Sequence, residues 1–307
     1  MFRTIVVPLD GSPLAEHAIA TATMLAERAD AEVVLVRAHQ LMLHDLGDQL
    51  ALEQAMREEA QDYLDRTAKG IHSEIGLTPR TAVLDGPPAQ TICEFATKQK
   101  GPLLVMSTHG RTGFSRAWMG SVADAVVRST SAPVLMLRPE EAPDGLLEPL
   151  GVFHRMLLPV DGSGYSEQVV PHAMALAELT AAQVLLLEVV KPILTPAFMP
   201  AMEYVVAYAP PEEYATEATA SQVERAADYV SSLAVKLRRQ YATLDIQTEV
   251  RTDASPAKAI LETARTQGSD VVAMTTHGRG MRRLMIGSVA DKILRGGPRA
   301  LLVVRPE

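Results

Sequence analysis

The strongest constraint on this chain is that one ordered set of motifs occurs twice. IVVPLDGS at residues 5–12 returns as MLLPVDGS at residues 156–163, and GSVAD at residues 120–124 returns at residues 287–291. Blocks in the same order at a nearly constant offset indicate a tandem duplication, so the chain should fold as two similar units. We expect a first domain over residues 1–140, a linker over residues 141–151 and a second domain over residues 152–307.

The length of 307 residues agrees with this division, because a domain typically contains about 100–200 residues. The offset between the copies grows before the third predicted strand, which places an insertion in the second copy at residues 192–214. This segment is rich in Pro, Met and Tyr. Two interpretations of this segment remain: it is a functional loop, or it is an ordinary surface loop.

Each copy alternates short aliphatic runs with longer amphipathic segments. Strand, helix and strand in succession predict right-handed crossovers and a parallel sheet covered on both faces. The predicted fold class is therefore α/β, with two tandem domains that are each a five-stranded parallel open sheet of Rossmann-like type. In the first copy we predict strands at Thr4–Leu9, Glu32–Ala38, Arg80–Leu84, Leu103–Ser107 and Val134–Leu137, and helices at Pro13–Ala29, Gln49–Ile75, Pro88–Gln99 and Ser121–Arg128.

Composition and charge exclude several classes of protein. The chain has 29 basic and 37 acidic residues and a formal charge of −8, which argues against a broad nucleic-acid surface. Cys93 is the single cysteine, so no intrachain disulfide and no cysteine metal cluster can form. The N-terminal residues lack the layout of a signal peptide, and no apolar run approaches the ~18 residues of a membrane helix. We therefore expect a cytoplasmic protein.

Ligands of open parallel α/β sheets bind beyond the carboxyl ends of the strands, where the strand order reverses. Near its end the first strand of each copy reaches a proline, which lacks an N–H group, so we expect the ladder of strand hydrogen bonds to end there. The aspartate that follows is expected to accept hydrogen bonds from a ligand, and a simple turn residue is the alternative. These residues are Pro8, Leu9 and Asp10 in the first copy and Pro159 and Asp161 in the second.

A glycine-bearing stretch follows the fourth strand and leads into the next helix. Gly110 and Gly113 allow close backbone approach, and Gly120 and Ser121 stand where the helix begins. A helix start presents unpaired N–H groups and the positive end of the helix dipole, which together favour a phosphate. Arg111 adds positive charge, and the alternative is an ordinary glycine-rich loop. The pattern recurs at Gly278, Gly287 and Ser288.

Two further positions are less specific. The ends of the second strands, Arg37 and Ala38 in the first copy and Glu188 and Val189 in the second, could line an adenine pocket with backbone polar groups. His109 precedes Gly110, and its side chain has two possible roles: it contacts a phosphate, or it packs structurally.

On these motifs the chain resembles a tandem universal stress protein built from two UspA-like domains. The resemblance is carried by residues 7–12, 108–113 and 120–123 and their counterparts in the second copy. It implies an adenine nucleotide alpha hydrolase-like fold, with ATP held across the strand ends in one subgroup. The motif of that subgroup is Gly, two residues, Gly, nine residues, Gly, then Ser or Thr. The first glycine is Ser107 here, and in the second copy it is Thr275 and the motif is one residue short.

The resemblance also implies roles for single residues. Asp10 and Asp161 would hold the adenosine end of ATP, and Ala38 and Val189 would touch the base. Pairing of the last strands, Val134–Leu137 with Leu301–Val304, would give an intrachain pseudo-dimer, and the whole chain would form a homodimer by the same analogy. The phosphates, with or without Mg²⁺, would be held by Gly110, Gly120 and Ser121 and by Gly278, Gly287 and Ser288.

The expected function is that of a cytosolic stress-response protein which binds ATP and acts as a nucleotide-dependent signalling or protective module. No catalytic residue and no metal ligand is assigned, because no side chain is clearly placed as a base for water. Two alternatives remain: a slow ATP hydrolase on the same site, and a structural or interaction protein that binds no nucleotide. The departures at Ser107 and Thr275 favour the latter.

Overall fold

The computed structural model describes residues 2–39, 49–108, 119–139, 151–193, 212–278 and 286–306. Its strands are β1 Thr4–Pro8, β2 Glu32–His39, β3 Arg80–Asp85, β4 Pro102–Ser107, β5 Val134–Leu137, β6 Arg155–Val160, β7 Gln183–Val190, β8 Ile246–Thr252, β9 Val271–Thr275 and β10 Ala300–Val304. Its helices are α1 Pro13–Ala29, α2 Gln49–Ile75, α3 Pro88–Thr97, α4 Ser121–Ser129, α5 Val170–Thr180, α6 Glu212–Gln240, α7 Pro256–Thr266 and α8 Ser288–Gly296, with a short 3-10 turn at Ser166–Val169.

The strands form one sheet in the order β3-β2-β1-β4-β5-β10-β9-β6-β7-β8. Within each copy all strand pairs are parallel, as the alternation of strands and helices predicts. Successive residues of a strand point to opposite faces, and on β2 Val33 and Leu35 join one buried cluster while Val34 and Val36 join the other. The predicted α/β class, with helices on both faces, is confirmed.

The two copies are joined through their last strands. β5 and β10 pair antiparallel, with Val134 opposite Val303 and Leu137 opposite Ala300. Both strands are buried along their whole length. This is the pairing that the resemblance implies, and it covers two apolar sheet edges that would otherwise be open to association with other chains.

The expectation that the ladder ends at the proline is wrong for the second copy, where β6 continues through Pro159 to Val160. In the first copy β1 does end at Pro8. β6 pairs with its neighbour β9 only at Met156 and Leu157, so these strands have already separated before Pro159 is reached. The missing N–H of the proline therefore removes no ladder bond on that side, and the separation opens a crevice at the strand ends.

Three predicted features fall wholly or largely outside the described residues. They are the linker 141–151, the insertion 192–214, and the glycine-loop residues His109, Gly110, Arg111 and Gly113. The domain boundaries therefore stay a prediction.

Candidate functional site

Two cavities lie where the central strands of each copy separate. Cavity one, at the carboxyl ends of β1 and β4, has a volume of about 260 Å³. Cavity two, at the carboxyl ends of β6 and β9, has a volume of about 810 Å³. Small-molecule pockets in proteins typically measure about 300–1,000 Å³, so cavity two is within this range and cavity one just below it. Both are at the topological switch point where ligands of such sheets bind.

All the predicted site residues that the structure describes, except Arg37, line one of these cavities. Several separate segments of each copy therefore converge on one place, although the binding role of each residue stays a prediction. Cavity one is lined by Pro8, Leu9, Asp10, Ala38, Ser107, Gly120 and Ser121, among others. Cavity two is lined by Pro159, Asp161, Val189, Thr275, Gly278, Gly287 and Ser288, among others.

Asp10 is held in a tight turn at the mouth of cavity one. Its carboxylate accepts hydrogen bonds from the Ser12 N–H at 2.9 Å and the Ser12 hydroxyl at 2.6 Å. Ser12 in turn caps α1 by accepting from the Ala15 N–H at 3.2 Å. Gly11, between them, has a φ of 84°, a left-handed conformation that favours glycine. The turn role of Asp10 is therefore observed, and these bonds fix the carboxylate beside the cavity.

Asp161 repeats this turn in the second copy and also contacts the glycine segment. It accepts from the Ser163 N–H at 3.0 Å. A Cβ atom placed on Gly278 would lie 2.5 Å from Asp161 Oδ2, so the carboxylate packs directly against the glycine backbone. Only glycine permits this approach. The contact joins the end of β6 to the segment after β9, which are distant in sequence.

The starts of α4 and α8 form one wall of each cavity. Asp124 and Asp291 donate their N–H groups to the carbonyls of Gly120 and Gly287, at 2.9 Å and 2.8 Å. The three preceding N–H groups of each helix have no partner within the helix. The residues that carry these groups line the cavities. An anion at this place would meet both unpaired donors and the positive end of the helix dipole.

The glycine segment of the second copy is braced by side-chain hydrogen bonds. The Thr275 hydroxyl donates to the His277 carbonyl at 2.6 Å, and His277 Nδ1 lies 2.7 Å from the Thr276 hydroxyl. The threonine that replaces the first glycine of the motif thus uses its hydroxyl within the segment. His277 Nε2 is buried and has no hydrogen-bond partner in the described part of the chain, and His277 lines cavity two.

A tyrosine–glutamate pair near each site was not predicted from the sequence. Tyr63 donates its hydroxyl to Glu16 at 2.6 Å, and Tyr229 donates to Glu167 at 2.9 Å. Burial, then the bonded carboxylate, raises the pKa of both phenols above the ordinary value. Both residue types recur at corresponding positions of the two copies, so aligning α2 with α6 could have found the pairs.

The described residues offer little support for other classes of site. The described part of the chain contains no group of three or more His, Cys, Asp or Glu residues arranged to hold a metal ion. None of the described helices is long and apolar enough to span a membrane. Cys93 is buried, and burial raises the pKa of its thiol. The thiol therefore has the surroundings of a packed small side chain rather than those of a reactive one.

Comparison with known proteins gives matches in both copies. The model of the universal stress protein family matches residues 1–138 and 153–305. A universal stress protein of Methanocaldococcus jannaschii is 34% identical over 142 residues, which are 45% of this chain and 83% of that protein. One of Thermus aquaticus is 32% identical over 142 residues, covering 45% of this chain and 100% of that protein. These relatives each correspond to about one copy of the duplicated unit.

One solved structure extends over both copies. A universal stress protein from Archaeoglobus fulgidus matches 98% of this chain and 98% of its own, with a TM-score of 0.69 and 15% sequence identity. At this identity the likeness shows the fold alone. It agrees with the α/β architecture and with two such units in one chain.

Proposed function

Because this chain belongs to the universal stress protein family over both of its copies, we propose that it binds an adenine nucleotide in cavities one and two. ATP, with or without Mg²⁺, is the proposed ligand. The protein would act in the cytoplasm as a nucleotide-dependent signalling or protective module, with little or no turnover.

The proposal depends chiefly on the pairing of a helix start with an aspartate in both cavities. The first turns of α4 and α8 offer N–H donors to an anion, and Asp10 and Asp161 offer acceptors to hydroxyl or amino groups. A nucleotide has this polarity, with phosphates at one end and hydrogen-bond donors on its sugar and base at the other. A simple anion would use only the helix start.

An unsatisfied group in cavity two supports the presence of a polar ligand. Buried polar atoms nearly always have a partner, and one left without costs about 1–3 kcal/mol. His277 Nε2 is such an atom among the described residues. Since His277 lies beside Gly278, where the resemblance implies phosphates, a bound phosphate would supply the missing partner when Nε2 carries the proton.

The test is calorimetric titration of MgATP into the intact chain and into two glycine variants. Gly120 and Gly287 precede the first residues of α4 and α8 and line the two cavities, so the larger side chains of Gly120→Val and Gly287→Val should block the approach of a phosphate to these helix starts. We expect two sites in the unchanged protein, one in each variant and none in the double variant. Gly164→Ala, where the added Cβ meets open space, is the control and should bind as the unchanged protein does.

Two ligands separate the two ends of the site. Each glycine variant should lose the binding of tripolyphosphate at its altered site. Asp10→Ala should instead weaken the binding of ATP more than the binding of tripolyphosphate. Absence of both heat and thermal stabilisation at millimolar MgATP would refute the proposal.

A further inference from the structure

The two copies carry opposite charges at one corresponding position. Arg37 is the sixth residue of β2 and Glu188 is the sixth residue of β7. Their register against the first strand of each copy is also the same, since the preceding residues Val36 and Leu187 lie opposite Pro8 on β1 and Pro159 on β6. Both positions are near the carboxyl end of the second strand of their copy, beside the proposed nucleotide site.

The two side chains take different places. The Arg37 guanidinium lies 5.0 Å from the centre of the Tyr63 ring and 3.9 Å from Glu59 on α2, and Arg37 is not among the described residues that line cavity one. Glu188 lines cavity two and is only 8% exposed. The arginine is therefore held against the helix, while the carboxylate borders the cavity.

This difference accompanies a difference in cavity shape. Among the described residues that line cavity one, none belongs to α2. Cavity two instead extends to α6, whose Gln222, Arg225 and Tyr229 line it together with Glu188. Cavity two thus has a polar arm between β7 and α6. Arg225 stands where α2 has Glu59, so the charges of strand and helix are exchanged between the copies.

The chemistry of a carboxylate at the end of the second strand suggests which part of a nucleotide contacts this arm of cavity two. In nucleotide-binding α/β sheets, a carboxylate at the end of the second strand accepts hydrogen bonds from ribose hydroxyls, whereas an arginine nearby suits a phosphate on the ribose. Glu188 is paired across the β6–β7 ladder with Val160, the residue before Asp161. Glu188 and Asp161 both line cavity two, so two carboxylates border the cavity where Asp161 is proposed to receive the adenosine end of the nucleotide.

We infer that cavity two recognises the ribose hydroxyls of its nucleotide through Glu188, and that cavity one, with Arg37 at this position, does not. The two sites of one chain therefore differ in selectivity: cavity two prefers a nucleotide with a free ribose diol, and cavity one binds nucleotides with and without the diol about equally. This inference rests on the proposed nucleotide binding and adds a specificity to it.

The experiment compares ATP with 2′,3′-dideoxyATP by titration calorimetry on the full chain. Gly120→Val isolates cavity two and Gly287→Val isolates cavity one. At cavity two we expect ATP to bind about tenfold or more tightly than the dideoxy compound, as a charge-assisted hydrogen bond would give. At cavity one the two ligands should bind within about threefold of each other.

Glu188→Ala then tests the residue. In the chain with cavity two alone, it should weaken ATP to the affinity of the dideoxy compound and leave that compound unchanged. Glu188→Gln keeps the size of the side chain and one acceptor oxygen, so its affinity for ATP should lie between those of the chain with Glu188 and of Glu188→Ala. This variant also serves as a control for a folding defect in the alanine variant. The double variant Glu188→Arg, Arg225→Glu reproduces the charges of the first copy and should abolish the preference for the diol.

The possible outcomes distinguish a failure of the inference about the ribose from a failure of the proposed nucleotide binding. A preference for ATP that survives Glu188→Ala, or an equal loss for both ligands, overturns the inference while nucleotide binding stands. If neither compound binds to the unchanged protein at millimolar concentration, the proposed function fails and the inference fails with it.

Discussion

At the scale of single residues, the contact between Asp161 and Gly278 shows what the sequence reveals of the site and what it does not. The repeat marks each residue, because both stand in blocks that recur in the other copy. Their contact depends on the separation of β6 from β9, a property of the folded sheet that no local pattern encodes. The sequence places Glu188 at the end of the second strand of its copy, but the proposed role of its side chain depends on which face of β7 meets α6, and no local pattern shows this.

The first prediction concerns Gly278→Ala. The added methyl would lie 2.5 Å from Asp161 Oδ2, and the carboxylate is already fixed by its bonds to Ser163, so it must move. Loss of its hydrogen bonds to a ligand should weaken MgATP binding at cavity two about tenfold. Calorimetry of the chain that carries Gly120→Val measures this site alone.

Gly164→Ala serves as the matched control, since this glycine is nearby and a Cβ there meets open space. The placement of Asp161 in the site would be contradicted by unchanged affinity in Gly278→Ala, provided that the variant folds as judged by circular dichroism.

The second prediction concerns the phenols of Tyr63 and Tyr229. Their pKa values are raised above the ordinary 10.0, so the folded state keeps these protons above pH 10 while the unfolded state loses them. The free energy of unfolding should therefore fall as pH rises beyond 10. Tyr63→Phe and Tyr229→Phe should each make this fall less steep, although each also loses the bond to its glutamate. Urea unfolding at a series of pH values from 8 to about 11 provides the measurement.

An equal slope in Tyr63→Phe, in Tyr229→Phe and in the unchanged protein would show that these two phenols do not cause the alkaline loss of stability.

At the scale of helices and strands, the sequence predicted most boundaries because capping and proline positions are local. Ser12 and Pro13 place the start of α1, and the first turn forms as predicted. The second copy differs, since a 3-10 turn at Ser166–Val169 precedes α5. Pro171 accounts for the later start of the α-helix, because proline is tolerated in the first turn of a helix and not in its interior. Repeat alignment alone would have placed the helix start too early.

The third prediction concerns the end of α5. Ala181 has a φ of 53°, a left-handed conformation that is costly for a residue with a Cβ. Ala181→Gly should raise the free energy of unfolding by about 1 kcal/mol, since glycine removes this cost at the C-terminal cap. Gly76 follows α2 with a φ of 77°, so Gly76→Ala should lower stability by about 1 kcal/mol. Urea unfolding measures both, and a change of the same sign in the two variants would refute the argument.

At the scale of the whole molecule, each copy places an arginine on a helix of the other copy. Arg138 donates to the carbonyls of Leu294 and Gly297, at 3.0 Å and 2.9 Å, at the C-terminal end of α8. Arg305 donates to the Ser129 carbonyl at the end of α4, at 3.2 Å. Cations are favourable at this end of a helix, so the two contacts support the β5–β10 joint. The resemblance implied the strand pairing, but these contacts depend on the relative placement of the copies.

The fourth prediction compares these two arginines. Arg138 is partly buried and bonds to several carbonyls, so Arg138→Ala should lower the free energy of unfolding by about 1.5–3 kcal/mol. The Arg305 contact is exposed, and Arg305→Ala should cost less, about 0.5–1 kcal/mol. Urea unfolding followed by far-ultraviolet circular dichroism gives both values. A larger loss in Arg305→Ala would show that the exposed contact dominates the joint.

The antiparallel pairing of β5 with β10 also sets the directions in which the two cavities open. Strands of the two copies run in opposite senses, so their carboxyl ends lie at opposite rims of the common sheet. The two cavities therefore open on opposite sides of the molecule, and a ligand at one cavity does not stand in the way of a ligand at the other.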